Sequence, residues 1–428
     1  PDTLATLNDA GAMLFMRGQT AEAEDYLVRA REARARTLGP DHPDAIESLG
    51  NVGTLLRRQG KLAEAESHYR ETLERYRRVL GDDHYDTLRS INNMGFILQE
   101  RGDYAAAEIL YREALDRQRR VLGEDHPLTL TSLNNISQVL RFQGKLAEAE
   151  PWAREAVERQ ERVLGEYHSN TLIALLNLGN LLYAQGKLDE AEPPTRRALE
   201  HCRRVLGNEH PHTLSALNNM GQLRLTQGNL EEAEALFREG AATTERVLGK
   251  MNAQTFTAKN NLGYVLQSAA KLSEAEPHMR EAVELARALL GEHHPTTLIV
   301  STNLAAVLVR QSKHTDALAL LDPMEPVVRE KFASTQPVRM AAALRIAGCA
   351  RVGLGYDSER FALAEANLLE AHPIFVQVRG QAHKDTLECV QGLIDLYTAW
   401  HAAEPDKGYD TKAAEWQAKL DAASPPAA

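Results

Sequence analysis

The stretch that decides the fold runs from Pro127 to His168 and reads PLTLTSLNNISQVLRFQGKLAEAEPWAREAVERQERVLGEYH. Its closing Leu-Gly step, Leu164-Gly165, returns every 42 residues, with equivalent glycines at Gly39, Gly81, Gly123, Gly207, Gly249 and Gly291. A fixed period of this length is typical of a repeat array, whose units bury their apolar faces only against their neighbours. The chain is therefore predicted to form one stacked array rather than several globular domains.

Two helical patterns flank a glycine inside this unit. The first covers about Leu130 to Gln143, with apolar residues three and four positions apart, and the second covers about Leu146 to Leu164. Gly144 is placed to end the first helix, and Pro127 suits the first turn of a helix because its fixed φ needs no N–H donor there. The unit is thus predicted to be a helix-turn-helix pair in an all-α protein.

These residues resemble a tetratricopeptide repeat. Ser137, Gly144, Ala149 and Ala156 stand at that family's signature spacings. The 42-residue length, the LNN tripeptide, the GKLAEAE turn and the LG-x-[DE]-HP-x-TL linker are similar to the kinesin light chain subgroup. The resemblance implies an α-solenoid, a right-handed superhelix of stacked helix pairs whose first helices line a concave surface.

The period sets the expected domain boundaries. Residues 1–332 are predicted to form a regular array of about eight pairs, residues 333–421 degenerate pairs and a cap, and residues 422–428 a disordered tail. The register slips at Ala333, where a linker glycine is expected. Pro323 and Pro326 are expected to shorten or kink the second helix of pair eight.

The chain begins within a repeat, because Pro1-Asp2-Thr3-Leu4 is similar to Pro211-His212-Thr213-Leu214. This start favours a fragment of a larger bacterial multidomain protein. Such arrays follow a kinase or NTPase domain in bacterial regulators that the carboxy-terminal end of this chain resembles.

Composition excludes several classes of function. A net charge of −11 argues against nucleic-acid binding, and no apolar run is long enough to cross a membrane. Cys202, Cys349 and Cys389 lie in different repeats, which argues against a disulfide framework and favours a reducing, cytoplasmic location. No phosphate-binding glycine loop, nucleophile elbow or zinc spacing is present, so we expect neither catalysis nor a cofactor.

The strongest functional signal is an asparagine that recurs on the predicted first helices. It stands at Asn51, Asn93, Asn135, Asn177, Asn219, Asn261 and Asn303. Asparagine is a mediocre helix former, so helix stability does not require it at these positions. The resemblance places it on the groove, where its amide can both donate to and accept from a peptide backbone. The alternative is that each amide bonds the neighbouring repeat and only stacks the array.

Residues one and two turns beyond the asparagines vary, as specificity residues would. We single out Phe96, Arg141, Tyr183 and Tyr264; each aromatic ring is as well explained by packing between helices. The predicted first helices carry more cations than acids, which favours an acidic peptide or a carboxy-terminal carboxylate as ligand.

The linkers carry a histidine series that looks like a metal set, at His42, His84, His126, His168, His210 and His294. Each histidine belongs to a different linker, and packed helices are about 10 Å apart. A metal needs ligands at about 2 Å. The series is therefore interpreted as helix capping or linker packing.

The sequence predicts a non-enzymatic scaffold that binds a protein or an extended peptide. The alternative is a regulatory or sensor module of a larger kinase or NTPase, which would fold back on its own upstream catalytic domain. Self-association through the end repeats is a third possibility.

Overall fold

The computed structural model describes Thr6, Leu7, Ala10, Gly11, Met13, Leu14 and residues 20–423. Nineteen α-helices, a 3₁₀ turn at Pro405–Lys407 and no β-strand occur among these residues. The chain divides into two compact units, Pro1–Asn219 and Met220–Ala428, here called unit 1 and unit 2. The chain is thus an all-α protein built of helix pairs, an α-solenoid.

From residue 20 onward, unit 1 contains nine complete helices and the first nine residues of a tenth. They are α1 (Thr20–Leu38), α2 (Pro43–Arg58), α3 (Leu62–Leu80), α4 (Tyr85–Glu100), α5 (Tyr104–Val121), α6 (Pro127–Phe142), α7 (Leu146–Leu164), α8 (Ser169–Ala184), α9 (Leu188–Leu206) and α10 (Pro211–Thr226), in which the unit boundary falls.

Unit 2 contains the other nine helices. They are α11 (Leu230–Leu248), α12 (Ala253–Ser268), α13 (Leu272–Leu290), α14 (Pro295–Arg310), α15 (His314–Phe332), α16 (Pro337–Gly353), α17 (Ser358–Arg379), α18 (Lys384–Ala403) and α19 (Tyr409–Ala423).

Local sequence sets the helix ends. The first helix of a regular pair has 16 residues and begins after a linker residue that caps it. His126, for example, accepts the Leu128 N–H at its Nδ1 over 3.2 Å, which satisfies a donor that the helix leaves unpaired. Gly144 turns the chain with φ +76°, a conformation that favours glycine, before α7 begins at Leu146. The capping role predicted for the linker histidines is confirmed.

Small side chains let the paired helices approach closely. Ala149 and Ala156 of α7 are fully buried, and Ala153 nearly so. Adjacent repeats are also joined by polar contacts: Gln143 Nε2 donates to the carbonyl oxygen of Tyr104 over 2.9 Å. Burial of apolar surface between helices, rather than one central core, therefore stabilises the array.

The prediction that Pro323 and Pro326 shorten their helix is wrong. The helix α15 runs unbroken from His314 to Phe332 and has 19 residues, the same length as α13. An interior proline costs about 3 kcal/mol. Burial of the neighbouring Leu321 and Met324 offsets this cost.

The break in the period is absorbed in the single pair formed by α16 and α17, with a turn of four residues between them. The helix α17 has 22 residues against 19 in α13, and α16 has 17 against 16 in α14. Residues 424–428, in the predicted disordered tail, lie outside the described residues, and α19 extends to Ala423. No helix in the described part of the chain is long and apolar enough to cross a membrane.

Candidate functional site

Every asparagine of the series occupies the ninth residue of a 16-residue first helix, in α2, α4, α6, α8, α10, α12 and α14. None of the seven side chains is buried: Asn93 is exposed and the other six are partly exposed. We call these seven residues the asparagine ladder. Flanking residues such as Ile136 are completely buried, so the ladder marks the edge between the core and the solvent.

A second asparagine, one residue earlier, has a different environment. Asn92 is only 6% exposed, and its Nδ2 donates to Ser132 Oγ of the next repeat over 2.8 Å. The same hydroxyl lies 2.6 Å from Gln118 Oε1. This buried network is the stacking role that the sequence left open, but it belongs to Asn92 and not to Asn93.

Four members of the ladder keep their amides free of internal hydrogen bonds. The side chains of Asn93, Asn135, Asn177 and Asn219 bond no other described residue. An amide offers two donor hydrogens and a carbonyl acceptor. At these positions the fold does not use the hydrogen-bonding capacity of the amide, and the side chains are exposed at Asn93 and partly exposed at the other three.

In unit 2 the ladder is partly used by the fold. Asn303 Nδ2 donates to Asn260 Oδ1 over 3.0 Å, and Asn260 Nδ2 lies 3.3 Å from Asn261 Oδ1. Asn303 therefore combines an inter-repeat contact with partial exposure, whereas the Asn261 contact lies within its own helix, α12.

Phe96 lies beneath a charged pair. The Arg57 guanidinium carbon stands 4.9 Å from the centre of the Phe96 ring, and its Nη1 donates to Glu100 Oε1 over 3.0 Å. The three side chains come from adjacent first helices, α2 and α4. The aromatic ring is thus covered by a cation rather than open as an apolar pocket.

Arg141 differs from the other groove cations of unit 1 in having no counter-ion. Its guanidinium carbon lies 4.5 Å from the ring centre of Phe142, which stacks on Tyr104 with centroids 5.4 Å apart. No carboxylate of a described residue pairs with it. Burial holds the pKa of the Arg141 guanidinium below its usual value. A desolvated, uncompensated cation favours an anionic partner.

Tyr183 is half-buried and Tyr264 is 45% exposed. Tyr264 and Asn303 line a cleft of about 880 Å³ in unit 2, formed by α12, α14, α16 and α18. Two residues predicted as candidate binding residues are therefore brought to one concavity.

The same cleft carries cations that the sequence analysis did not single out. Arg339 and Arg379 line it, are exposed and pair with no described carboxylate. Arg345 is held by Glu388 over 2.8 Å, and Arg310 Nη1 donates to the Gln267 carbonyl over 2.8 Å. The broken register after residue 332 hid Arg339, Arg345 and Arg379, because the repeat alignment could not place them on a face.

Some cations of the first helices are already paired with carboxylates of the chain. Lys259 is 5% exposed and is paired with Glu245 and Glu281, each over 2.8 Å. Arg224 pairs with Glu232 over 2.8 Å. The simple count of charges on first helices therefore overstates the positive charge available to a ligand, and Arg141 is the stronger indicator.

No group of three or more His, Cys, Asp or Glu residues in the described part of the chain is arranged to hold a metal ion. The linker histidines stay apart as caps, with Asn252 in the same role: its Oδ1 accepts the Gln254 N–H over 2.8 Å. What the first-helix surface offers chemically is hydrogen bonds and positive charge.

Comparison with protein families gives one match, a model described as tetratricopeptide repeat. It matches residues 2–78, 44–117, 86–162, 136–199, 195–246 and 254–322. A search of curated proteins gave no match.

Three solved structures that match this chain differ in what they are described as. A putative kinesin light chain of Podosopora anserina is 20% identical, with 47% of this chain and 96% of that chain covered and a TM-score of 0.42. A Signal Transduction ATPase with Numerous Domains protein with a tetratricopeptide repeat sensor, from Pyrococcus horikoshii, is 13% identical, with coverage of 83% and 53% and a TM-score of 0.58. A Rap protein complexed with Competence and Sporulation Factor is 13% identical, with coverage of 97% and 99% and a TM-score of 0.53.

Proposed function

The chain belongs to the tetratricopeptide repeat family, and from this premise we propose that it is a binding scaffold that holds an extended peptide of a partner protein on the asparagine ladder. The observation that carries the proposal is the set of outward amides in unit 1, at Asn93, Asn135 and Asn177, which no described residue satisfies. We assign the chain no catalytic role and no cofactor.

The spacing of the amides suits an extended backbone. Packed helices lie about 8–10 Å apart. An extended chain advances about 3.3 Å per residue, so one amide would meet the peptide about every third residue. Each hydrogen bond contributes about 0.5–1.5 kcal/mol net, and several together are needed for useful affinity.

The charge of the surface points to an acidic peptide. Arg141 lies on the last turn of α6, within the same helix as Asn135, and lacks a carboxylate partner. In unit 2, Arg339 and Arg379 offer further unpaired cations beside Asn303. Charge-assisted hydrogen bonds are about twice as strong as neutral ones, so acidic side chains would add both affinity and selectivity. Neither nucleic acid nor membrane is proposed as a partner, because the chain carries a net charge of −11. The free thiols of Cys202 and Cys389 are buried, which is consistent with the reducing, cytoplasmic location proposed.

A peptide-library selection tests this proposal. The parent and a variant with Asn93→Ala, Asn135→Ala and Asn177→Ala are screened side by side. We expect an acidic motif to be selected by the parent and lost from the variant, with unchanged far-UV circular dichroism. A motif that both proteins select equally would contradict a role for the ladder, and selection of basic peptides would contradict the assignment of charge.

A second candidate function is a regulatory or sensor module of a larger kinase or NTPase, acting on its own upstream catalytic domain. The fold similarity to a protein with a tetratricopeptide repeat sensor, of which 53% is covered, favours it. Sequencing the coding region upstream of Pro1 tests it. A kinase or nucleotide-binding motif there would support the candidate, and a start codon immediately upstream would contradict it.

A further inference from the structure

Three cations meet at one end of the cleft in unit 2. Arg339 is the third residue of α16, and Arg379 is the last residue of α17. These two helices form one hairpin with a four-residue turn, so the start of α16 and the end of α17 lie at the same end of the pair. Lys384, the first residue of α18, follows Arg379 by five residues. All three side chains line the cleft, and we call them the basic corner.

The two arginines of the basic corner are not used by the fold. Arg339 and Arg379 are exposed, and neither pairs with a carboxylate of a described residue. Lys384 has only a long contact, with its Nζ 3.8 Å from Glu388. The guanidinium donors at this end of the cleft are therefore available to a ligand.

The three carboxylates of the same cleft have partners of their own. Glu388 lies 2.8 Å from Nη1 of Arg345. Asp395 accepts a hydrogen bond from Gln391 over 2.8 Å, and Asp385 stands 3.6 Å from the histidine that caps α18. None of them pairs with an arginine of the basic corner, so the free charge at this end of the cleft is positive.

The start of α16 adds to this attraction. His126 caps α6 through its Nδ1, whereas Gln336, at the N-cap of α16, makes no hydrogen bond of this kind and lines the cleft. The N-terminal end of a helix favours a negative charge. The helix therefore reinforces the charge of the two arginines.

Apolar side chains flank the two arginines. Val378, next to Arg379, lines the cleft and is 53% exposed. Val338, next to Arg339, lines the cleft and is half-buried. A small inorganic anion would leave this apolar surface uncovered, whereas the residues on either side of a charged group in a peptide can cover it. The surroundings thus favour an anionic group that a peptide carries.

Two free guanidinium groups at one place suit a doubly charged group. A carboxylate carries one charge, and a single arginine can bind both of its oxygens. A phosphorylated serine or threonine carries a charge of about −1.5 to −2 at pH 7 and has three acceptor oxygens. One phosphate group can therefore use both arginines, whereas one carboxylate is already satisfied by one of them.

We propose that the basic corner binds a phosphoserine or phosphothreonine of the partner peptide. Arg339 and Arg379 donate to the phosphate oxygens, and Val378 contacts the residue beside the phosphate. The inference rests on the proposed function, because it names a chemical feature of the peptide that the chain binds. Its residues lie in unit 2, whereas the amides that carry the proposed function lie in unit 1.

Three libraries of short fluorescein-labelled peptides test this. They have the same degenerate flanks and differ only in the central residue, which is phosphoserine, serine or glutamate. Each is titrated against the full chain by fluorescence anisotropy. We expect the phosphoserine library to bind at least about tenfold more tightly than the serine library and at least about threefold more tightly than the glutamate library. Arg339→Gln and Arg379→Gln should each reduce the preference for phosphoserine over serine at least about threefold.

Arg360→Gln is the matched control. Arg360 lies on α17 with Arg379, but 19 residues earlier, which is about 28 Å along the helix. Its side chain donates to the Gly355 carbonyl oxygen and pairs with no carboxylate of a described residue. This variant removes the same charge from the same helix and should keep the preference. An equal loss of preference in Arg360→Gln and Arg379→Gln would overturn the proposal, because only the net charge would then matter.

Other outcomes would also overturn it. Equal binding of the phosphoserine and serine libraries would exclude a phosphate site, and equal binding of the phosphoserine and glutamate libraries would show a carboxylate site. Free O-phosphoserine that displaces the phosphoserine library as effectively as unlabelled library does would show a small-molecule site.

The triple asparagine variant of the ladder separates this inference from the proposed function. We expect it to bind all three libraries more weakly and to keep the preference for phosphoserine over serine. Weaker binding without any such preference in the parent would leave the proposed function standing and overturn the phosphate site. Unchanged binding of all three libraries would contradict the role of the ladder, and a preference that still depends on Arg339 and Arg379 would then support the basic corner alone.

Discussion

The two adjacent asparagines of α4 provide the sharpest test of the distinction between stacking and binding. We compare Asn92→Ala with Asn93→Ala, two identical substitutions in one helical turn. Asn92 is 6% exposed and its Nδ2 donates to Ser132 Oγ over 2.8 Å, whereas Asn93 is exposed and its amide bonds no described residue. The first should weaken the contact between α4 and α6, and the second should not.

The expected magnitudes follow from those environments. Removing Asn92 loses a buried hydrogen bond and leaves Ser132 with Gln118 as partner, which costs about 1–3 kcal/mol. This corresponds to about a 5- to 150-fold increase in local opening, at about 1.4 kcal/mol per factor of ten. Removing Asn93 changes an exposed side chain, and alanine is the better helix former, so the change should stay within about 0.5 kcal/mol.

Hydrogen–deuterium exchange is the suitable assay, because it reports the local opening of α4 and α6 separately from that of the other helices. Exchange of peptides from α4 and α6 is read against α18 of unit 2 as an internal reference. Equal loss of protection in the two variants would refute the reasoning, since it would show that the ladder stabilises the array as Asn92 does.

The remaining predictions concern the caps, the turns and the ion pairs between repeats. His126→Ala should lower the free energy of unfolding by about 1 kcal/mol, because the cap of α6 is lost. His126→Asn should not, because Asn252 caps α12 in the same way. Thermal unfolding of the two variants checks this, and equal losses of stability would contradict the capping role. Ser312 has φ +61°, a strained conformation for serine, at a position where the regular turns have glycine. Ser312→Gly should relieve this backbone strain and raise the urea midpoint by an amount equivalent to up to about 1 kcal/mol. A lower midpoint would contradict the strain. Hydrogen bonds from Lys187, opposed by desolvation and joined by bonds from Arg154, lower the pKa of Glu150 from 4.5 to about 2. The stabilisation from Glu150 is therefore fully present above pH 4.5 and lost as the pH falls toward 2. In Glu150→Gln the urea midpoint should change less with pH over that window than it does in the parent. An equal pH dependence of the midpoint in both proteins would contradict the contribution of Glu150.

Much of the fold follows from the local sequence. The helix α7 spans Leu146–Leu164 as the spacing of its apolar residues predicts, because the turn glycine and the linker glycine fix both ends. The helix α6 begins at Pro127, in the first turn where the sequence analysis placed this proline, because His126 caps the helix. The spacing of apolar residues thus identifies the buried face of a helix, and the capping residues determine where the helix begins and ends.

Contacts between repeats are what the sequence alone could not place. Lys259 looked like a groove cation, yet it reaches Glu245 and Glu281 because its buried position requires counter-ions. The length of helix α15 depends on the packing around Pro323 and not on the low intrinsic preference of proline for a helix interior.

The most direct test of a peptide site on the asparagine ladder is to observe the side-chain amides themselves. A selected acidic peptide is titrated into the deuterated, ¹⁵N-labelled chain, and the Asn side-chain NH₂ resonances are followed by NMR. We expect the amides of Asn93, Asn135 and Asn177 to shift to saturation while that of Asn92, bonded to Ser132, stays in place. Binding that leaves all three ladder amides unmoved would contradict the account.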